Sequence, residues 1–170
     1  MSEFEDLIGP LLKREGGYAD RKNDRGGPTN MGLTQKTLDY WNATSPHKFA
    51  GKVRDVRGLT SEIAVVIYWE MYWNVAGCQR VPPRVREIHF DASVQHSPRR
   101  AVMLLQQAAG AKIDGDFGAY TDTAVAGMIP DLLFWRYKSF RYEFYGDIIA
   151  RDSTQDANID GWLRRMKEFT

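Results

Sequence analysis

Glu15-Gly16-Gly17-Tyr18 and, five residues on, Asp24-Arg25-Gly26-Gly27-Pro28-Thr29-Asn30-Met31-Gly32-Leu33-Thr34 form the stretch on which the reading of this chain turns. Upstream, Phe4, Leu7, Ile8, Leu11 and Leu12 recur at helical spacing, so an amphipathic helix runs into Glu15. Pro10 either kinks that helix or shifts its start, and the paired glycines stop it. A carboxylate is thus delivered on a last helical turn. The glycine-punctuated segment after it brings back a second carboxylate, Asp24, followed by hydroxyls at Thr29 and Thr34. Regular strand here is limited to a small hairpin near residues 24–34, and Thr34 is placed to cap a helix over about 35–43.

Two carboxylates so arranged suit glycosidic bond cleavage. One acid protonates the leaving oxygen, and a better solvated carboxylate activates water or stabilises the developing positive charge. A helix C-terminal end is unfavourable for negative charge, which suits Glu15 to the acid part; Asp24, among polar loop residues, suits the base. The same residues also fit a plainer description: a surface glutamate, a glycine C-cap and a turn.

The rest of the chain reads as helix, five to seven segments in all. Thr60 or Ser61 caps a segment from Glu62 to about Asn74, apolar nearly all round and therefore expected to be a buried central helix. Val81-Pro82-Pro83 breaks the chain, and residues 85–95 form a helix or a short extended piece. Ser97-Pro98 opens a helix that ends at Gly110, by the preference for Ser at the cap and Pro at the first turn. Asp114-Gly115-Asp116-Phe117-Gly118 is a turn, a helix follows over about 121–128, and Pro130 opens a long helix to about Arg151. Leu133, Tyr137, Phe140, Phe144 and Ile148 make one stripe on that helix. A last helix covers about 159–169. The class is mainly α.

The twenty residues EGGYADRKNDRGGPTNMGLT resemble the signature of the glycoside hydrolase family 108 lysozymes, muramidases of phages, prophages and bacterial secretion loci. The resemblance implies a two-lobed lysozyme-like fold, with residues 1–90 as a catalytic half and 91–170 as a peptidoglycan-binding-like helical half. It implies hydrolysis of the β-1,4 bond between N-acetylmuramic acid and N-acetylglucosamine, with Glu15 as essential acid. Asp24 and Thr29 match the Glu/Asp/Thr arrangement of phage-type lysozymes with Thr29 one position early, so Thr29 or Thr34 holds the water. Tyr18, beside Glu15, is the first candidate for substrate contact. Leu105-Gln106, Gly110, Asp114 to Gly118 and Thr121 resemble the pattern of small peptidoglycan-binding modules, with core-building as their main expected role. His89 to His96 resembles the family's F-D-x-x-V-N-x-G element. Gln95 stands there at the Asn position as a further candidate substrate contact, Ser97 stands at the Gly position, and Asp91 is expected to fix the junction between the halves. Of His89 and His96 one is expected packed and one solvated, and Arg164 and Arg165 are expected solvated with Trp162 tying down the last helix.

Composition narrows the setting. The chain has 170 residues, 23 Lys and Arg against 22 Asp and Glu, and a single cysteine, Cys78. Near-neutral charge gives no footprint for nucleic acid. One cysteine builds neither a disulfide framework nor a Cys-based zinc site, and the three histidines lack ligand spacing, so no metal and no cofactor are expected. The first residues carry no secretory signal and no apolar run reaches the length of a membrane span, so synthesis in the cytoplasm is expected, with action in the periplasm or wall after release. The expected partner is the peptidoglycan glycan strand, with a holin or secretion channel for export and a monomeric state. The alternatives are a lytic transglycosylase, a chitinase-type enzyme, and a non-enzymatic wall-binding or secretion-assisting protein.

Overall fold

A computed structural model describes residues 2–20 and 27–170. Two compact units divide between Met71 and Tyr72.

In the first unit, helix α1 (Ser2–Glu15) runs unbroken across Pro10. It buries Phe4, Ile8 and Leu11. Gly16, at φ 75°, ends it in the left-handed conformation and donates its N–H to the Leu12 carbonyl at 3.2 Å. Strands β1 (Thr29–Asn30) and β2 (Leu33–Thr34) pair antiparallel, Thr29 opposite Thr34 and Asn30 opposite Leu33. Met31 and Gly32 between them have φ of 50° and 76°. Positive φ at both central positions marks a type I′ turn, whose twist suits a two-residue hairpin. Ala19 adds an antiparallel bridge to Thr29, so the hairpin carries a third chain segment.

Helix α2 (Gln35–Thr44) starts where its sequence says it should: Thr34 Oγ1 accepts from the Thr37 N–H at 3.1 Å. Asn30 is buried and donates to the Val56 carbonyl at 3.0 Å, which fastens the hairpin to a short 3₁₀ turn, Val56–Gly58. Helix α3 (Ser61–Tyr68) is capped by Thr60. Its continuation, Trp69–Trp73, is π-helical, so the single helix expected from Glu62 to Asn74 changes type after Tyr68. Only one side of α3 is fully buried, through Ile63, Ala64, Ile67 and Tyr68; Val65, Val66 and Trp69 are half-exposed.

The second unit has five α-helices, α4 (Pro83–His96), α5 (Pro98–Ala109), α6 (Ala119–Ala126), α7 (Pro130–Arg151) and α8 (Ile159–Lys167), and two 3₁₀ segments, Cys78–Arg80 and Ser153–Asn158. Residues 83–96 are therefore helical throughout, with Pro83 at the first turn, where its missing N–H is harmless. Ser97 has φ 122° and caps α5 through Oγ to the Arg100 N–H at 3.3 Å. That backbone region favours glycine, so serine holds it at a cost in strain. The core gathers Val85, Ile88, Leu104, Leu105, Val125, Leu133, Tyr137, Tyr145 and Met166.

The inward line of α7 differs from the apolar stripe. Leu133, Tyr137, Arg141 and Tyr145 are buried, at spacing of four, while Phe140, Phe144 and Ile148 are half-buried beside them. A cation thus occupies a core position. Arg141 Nη2 donates to Asp91 Oδ2 at 2.5 Å and to Gln95 Oε1 at 2.6 Å, and Arg165 Nε reaches the other Asp91 oxygen at 2.8 Å. Arg165 is therefore held by an ion pair and not solvated. Asp91 joins α4, α7 and α8 inside the second unit. Trp162 stacks on Tyr145 at 4.9 Å. His89 and His96 are both packed: His89 is fully buried, and His96 lies between Phe144 and Tyr145 at 5.0 and 5.3 Å.

Candidate functional site

Glu15 ends α1, and the glycine that follows turns the chain so that Tyr18 to Asp20 run back along the hairpin. The side chain of Glu15 lies over the I′ turn. A Cβ placed on Gly32 would sit 2.9 Å from Glu15 Cγ and 2.6 Å from the Tyr68 hydroxyl, so both side chains close on the one position where the backbone presents no side chain. Tyr68 is buried and donates its hydroxyl to the Met31 carbonyl at 2.8 Å. The carbon chain of the glutamate, the turn and a tyrosine from α3 are thus packed as one piece. Tyr68 has no local signal in sequence, since an apolar helix gives no hint which of its residues reaches a loop 37 positions away.

Residues opposite each other in an antiparallel ladder share a face. Ala19, Thr29 and Thr34 are opposite one another, so their side chains share one face of the hairpin, while Asn30 and Leu33 are buried on the other. The two threonines then part company. Thr34 Oγ1 is engaged by Thr37, at 3.1 Å to its N–H and 3.0 Å to its hydroxyl, as the cap of α2. Among the described residues no hydrogen bond engages the Thr29 hydroxyl, whose backbone exchanges two bonds with Ala19 at 2.8 and 2.9 Å.

Tyr18 is 43% exposed and donates to Asp20 Oδ2 at 3.3 Å. Partial desolvation and the Asp20 carboxylate raise its phenol above the ordinary value. Arg57, beyond the Asn30 tether, is clamped on Asp55 through Nε and Nη2, and its hydrogen bonds hold the Asp55 carboxyl at about 2. Asp24 lies outside the described residues. Gln95 is in the second unit, where its amide oxygen accepts from Arg141 at 2.6 Å and from the Tyr145 hydroxyl at 2.7 Å.

The second motif is an organised loop. Gln106 is buried, its Nε2 donating to Asp114 Oδ1 at 2.8 Å, the Asp116 carbonyl at 3.0 Å and Thr121 Oγ1 at 3.0 Å. Its Oε1 accepts the N–H groups of Asp114 and Gly115 at 3.1 and 2.9 Å. One amide therefore satisfies a whole turn, and hydrogen bonds from the Asp116 N–H and Gln106 lower the Asp114 carboxyl. Among the described residues no group of three His, Cys, Asp or Glu side chains is arranged to hold a metal ion, and no helix is long and apolar enough to cross a membrane.

Residues 8–96 match the family Glycosyl hydrolase 108. The chain belongs to the glycosyl hydrolase 108 family. Residues 100–167 match the Predicted Peptidoglycan domain family, whose span holds the Gln106 loop. A solved structure of SagA from Brucella abortus is 31% identical, covering 99% of this chain and 91% of that one, with a TM-score of 0.85. No curated protein matches the chain. As a glycosyl hydrolase 108 protein the chain has a mainly α, lysozyme-like fold, with one small antiparallel hairpin among the described residues. It is a glycoside hydrolase whose substrate class is peptidoglycan.

Proposed function

We propose that the protein is an N-acetylmuramidase that hydrolyses the β-1,4 bond between N-acetylmuramic acid and N-acetylglucosamine. Glu15 protonates the leaving glycosidic oxygen as general acid. Asp24 takes a proton from the attacking water or stabilises the developing oxocarbenium charge. The Thr29 hydroxyl, on the shared face of the hairpin and not used by a helix cap, holds the water, and Tyr18 meets the sugar at the rim. The observation that carries this reading is the packing of the Glu15 side chain over Gly32, in the I′ turn that the Tyr68 hydroxyl also closes on. An acid whose carbon chain is packed at a defined place on the hairpin goes toward the positional demand of proton transfer to a leaving group. The Gln106 loop, walling a cavity of about 540 Å³ with Lys112, Asp116 and Tyr120 among its lining, supplies a wall contact in the second unit.

The direct test is mass spectrometry of the fragments released from purified peptidoglycan. Hydrolysis by this mechanism leaves reducing N-acetylmuramic acid ends. Products ending in 1,6-anhydro-N-acetylmuramic acid would make the protein a lytic transglycosylase, reducing N-acetylglucosamine ends would move the cleaved bond, and binding without release would leave only a wall-binding role.

A further inference from the structure

The apolar side of α3 that the core does not use lines a cavity of about 330 Å³ in the first unit. Its wall is Phe4, Val65, Val66 and Trp69, with His47 and Glu70 as polar members and Glu5 at the exposed rim. The site is well separated from Glu15. Phe4 and Glu15 are eleven residues apart on α1, about 16 Å at the helical rise.

Both polar members are held in fixed orientation. Glu70 Oε2 accepts from the Trp41 indole N–H at 2.6 Å and from the Ser45 hydroxyl at 2.6 Å, so the acceptor it has left for a ligand is Oε1. His47 Nδ1 accepts from the Phe49 N–H at 3.3 Å, which puts the ring proton on Nε2 and makes that atom a donor. The Phe4 and Trp69 rings meet edge to face at 5.0 Å and give the cavity a rigid aromatic side. Trp69 and Glu70 belong to the π-helical segment, and such irregular turns are commonly kept where a site needs side chains redirected.

One donor, one acceptor and an apolar wall with an aromatic ring match a secondary amide that carries a methyl group. We infer that this cavity is a second carbohydrate site, one that binds the N-acetyl group of a hexosamine in the glycan strand. The acetamido N–H donates to Glu70 Oε1, its carbonyl accepts from His47 Nε2, its methyl enters between Val65 and Val66, and the pyranose lies against Trp69. A bare ammonium group would use the carboxylate but leave the imidazole donor and the methyl-sized apolar space without a match. The inference rests on peptidoglycan as substrate class and not on the part played by Glu15.

The test uses the full-length chain carrying Glu15→Gln, so that no turnover intervenes, labelled with nitrogen-15 and titrated with the trimer of N-acetylglucosamine. The Trp41 indole N–H, which donates to Glu70, is the reporter. The acetylated trimer shifts that resonance and the amides of residues 65–70. The de-N-acetylated trimer and free lysine leave them in place. Glu70→Gln keeps an oxygen for Trp41 and Ser45 but turns an NH₂ toward the acetamido N–H, and weakens binding about tenfold, the loss of one good hydrogen bond. Val66→Phe, on the half-exposed wall, fills the space and abolishes the shifts without touching the Glu70 bonds, which covers the case in which Glu70→Gln does not fold. Shifts confined to residues 15–34, no shifts at all, or equal shifts with lysine or the de-N-acetylated trimer would each overturn the inference while leaving the muramidase reading untouched.

Discussion

Gly32 carries two demands at once. Its φ of 76° lies in the left-handed region, and a Cβ there would press on the Tyr68 hydroxyl and on Glu15 Cγ. Gly32→Ala therefore costs backbone strain, about 1–3 kcal/mol, and displaces the side chain that the proposed chemistry depends on. Its melting temperature falls, and its clearing activity falls further than that of an equally destabilised core variant elsewhere. Tyr68→Phe separates the two effects: it keeps the ring, removes the bond to the Met31 carbonyl, and costs about 1 kcal/mol with a smaller loss of activity. Activity that tracked stability alone in both variants would remove Tyr68 and Gly32 from the support of Glu15.

At the scale of elements, the hairpin assigns different work to its two threonines. Thr34→Ala removes the cap of α2 and costs about 1 kcal/mol of stability, whereas Thr29→Val, which keeps shape and β-branching, leaves stability nearly unchanged and lowers turnover. Melting curves and turbidity rates on the two variants distinguish cap from water-holder, and the opposite pattern would exchange the roles. Such local elements were legible from sequence because their causes are local. Paired glycines after Glu15, Thr34 before a helical repeat and Ser97-Pro98 each act over three or four residues. What the sequence left unread depends on partners far along the chain. Gln95 reads as a sugar contact and Asp91 as a junction residue, and the sequence gives no sign that both also hold Arg141, 46 and 50 residues away. Arg165 reads as solvated until Asp91 is found 74 residues before it. The change from α to π after Tyr68 escapes because the side-chain pattern of an all-round apolar segment suits either helix.

At the scale of the molecule, the second unit stores a dependence on acid. His89 Nε2–H donates to the Ala76 carbonyl at 2.9 Å, and Nδ1 faces the Tyr137 hydroxyl at 3.2 Å. Burial lowers this ring to about 4, and burial together with Arg141 lowers His96 to about 3. In the unfolded chain both take up protons near 6.5. Below that value the unfolded state binds more protons than the folded one, so stability is flat above it and declines as pH falls toward 3 to 4. Melting temperatures across this range check the slope, and His96→Leu flattens part of it. An unchanged slope would mean that other groups carry the acid sensitivity. The same unit depends on its buried pair: Asp91→Ala leaves Arg141 charged and enclosed, a loss of about 3–5 kcal/mol in denaturant melts.

The muramidase account stands most directly on Glu15→Gln, assayed by turbidity on chloroform-treated Gram-negative cells with the melting temperature taken alongside. The amide keeps the shape that packs over Gly32 but has no acidic proton to give the leaving oxygen. A general acid contributes about 10²–10⁴-fold, so the folded variant should lose nearly all clearing while its melting temperature changes little. A folded Glu15→Gln protein that clears cells at close to the unsubstituted rate would contradict the assignment of the chemistry to this residue.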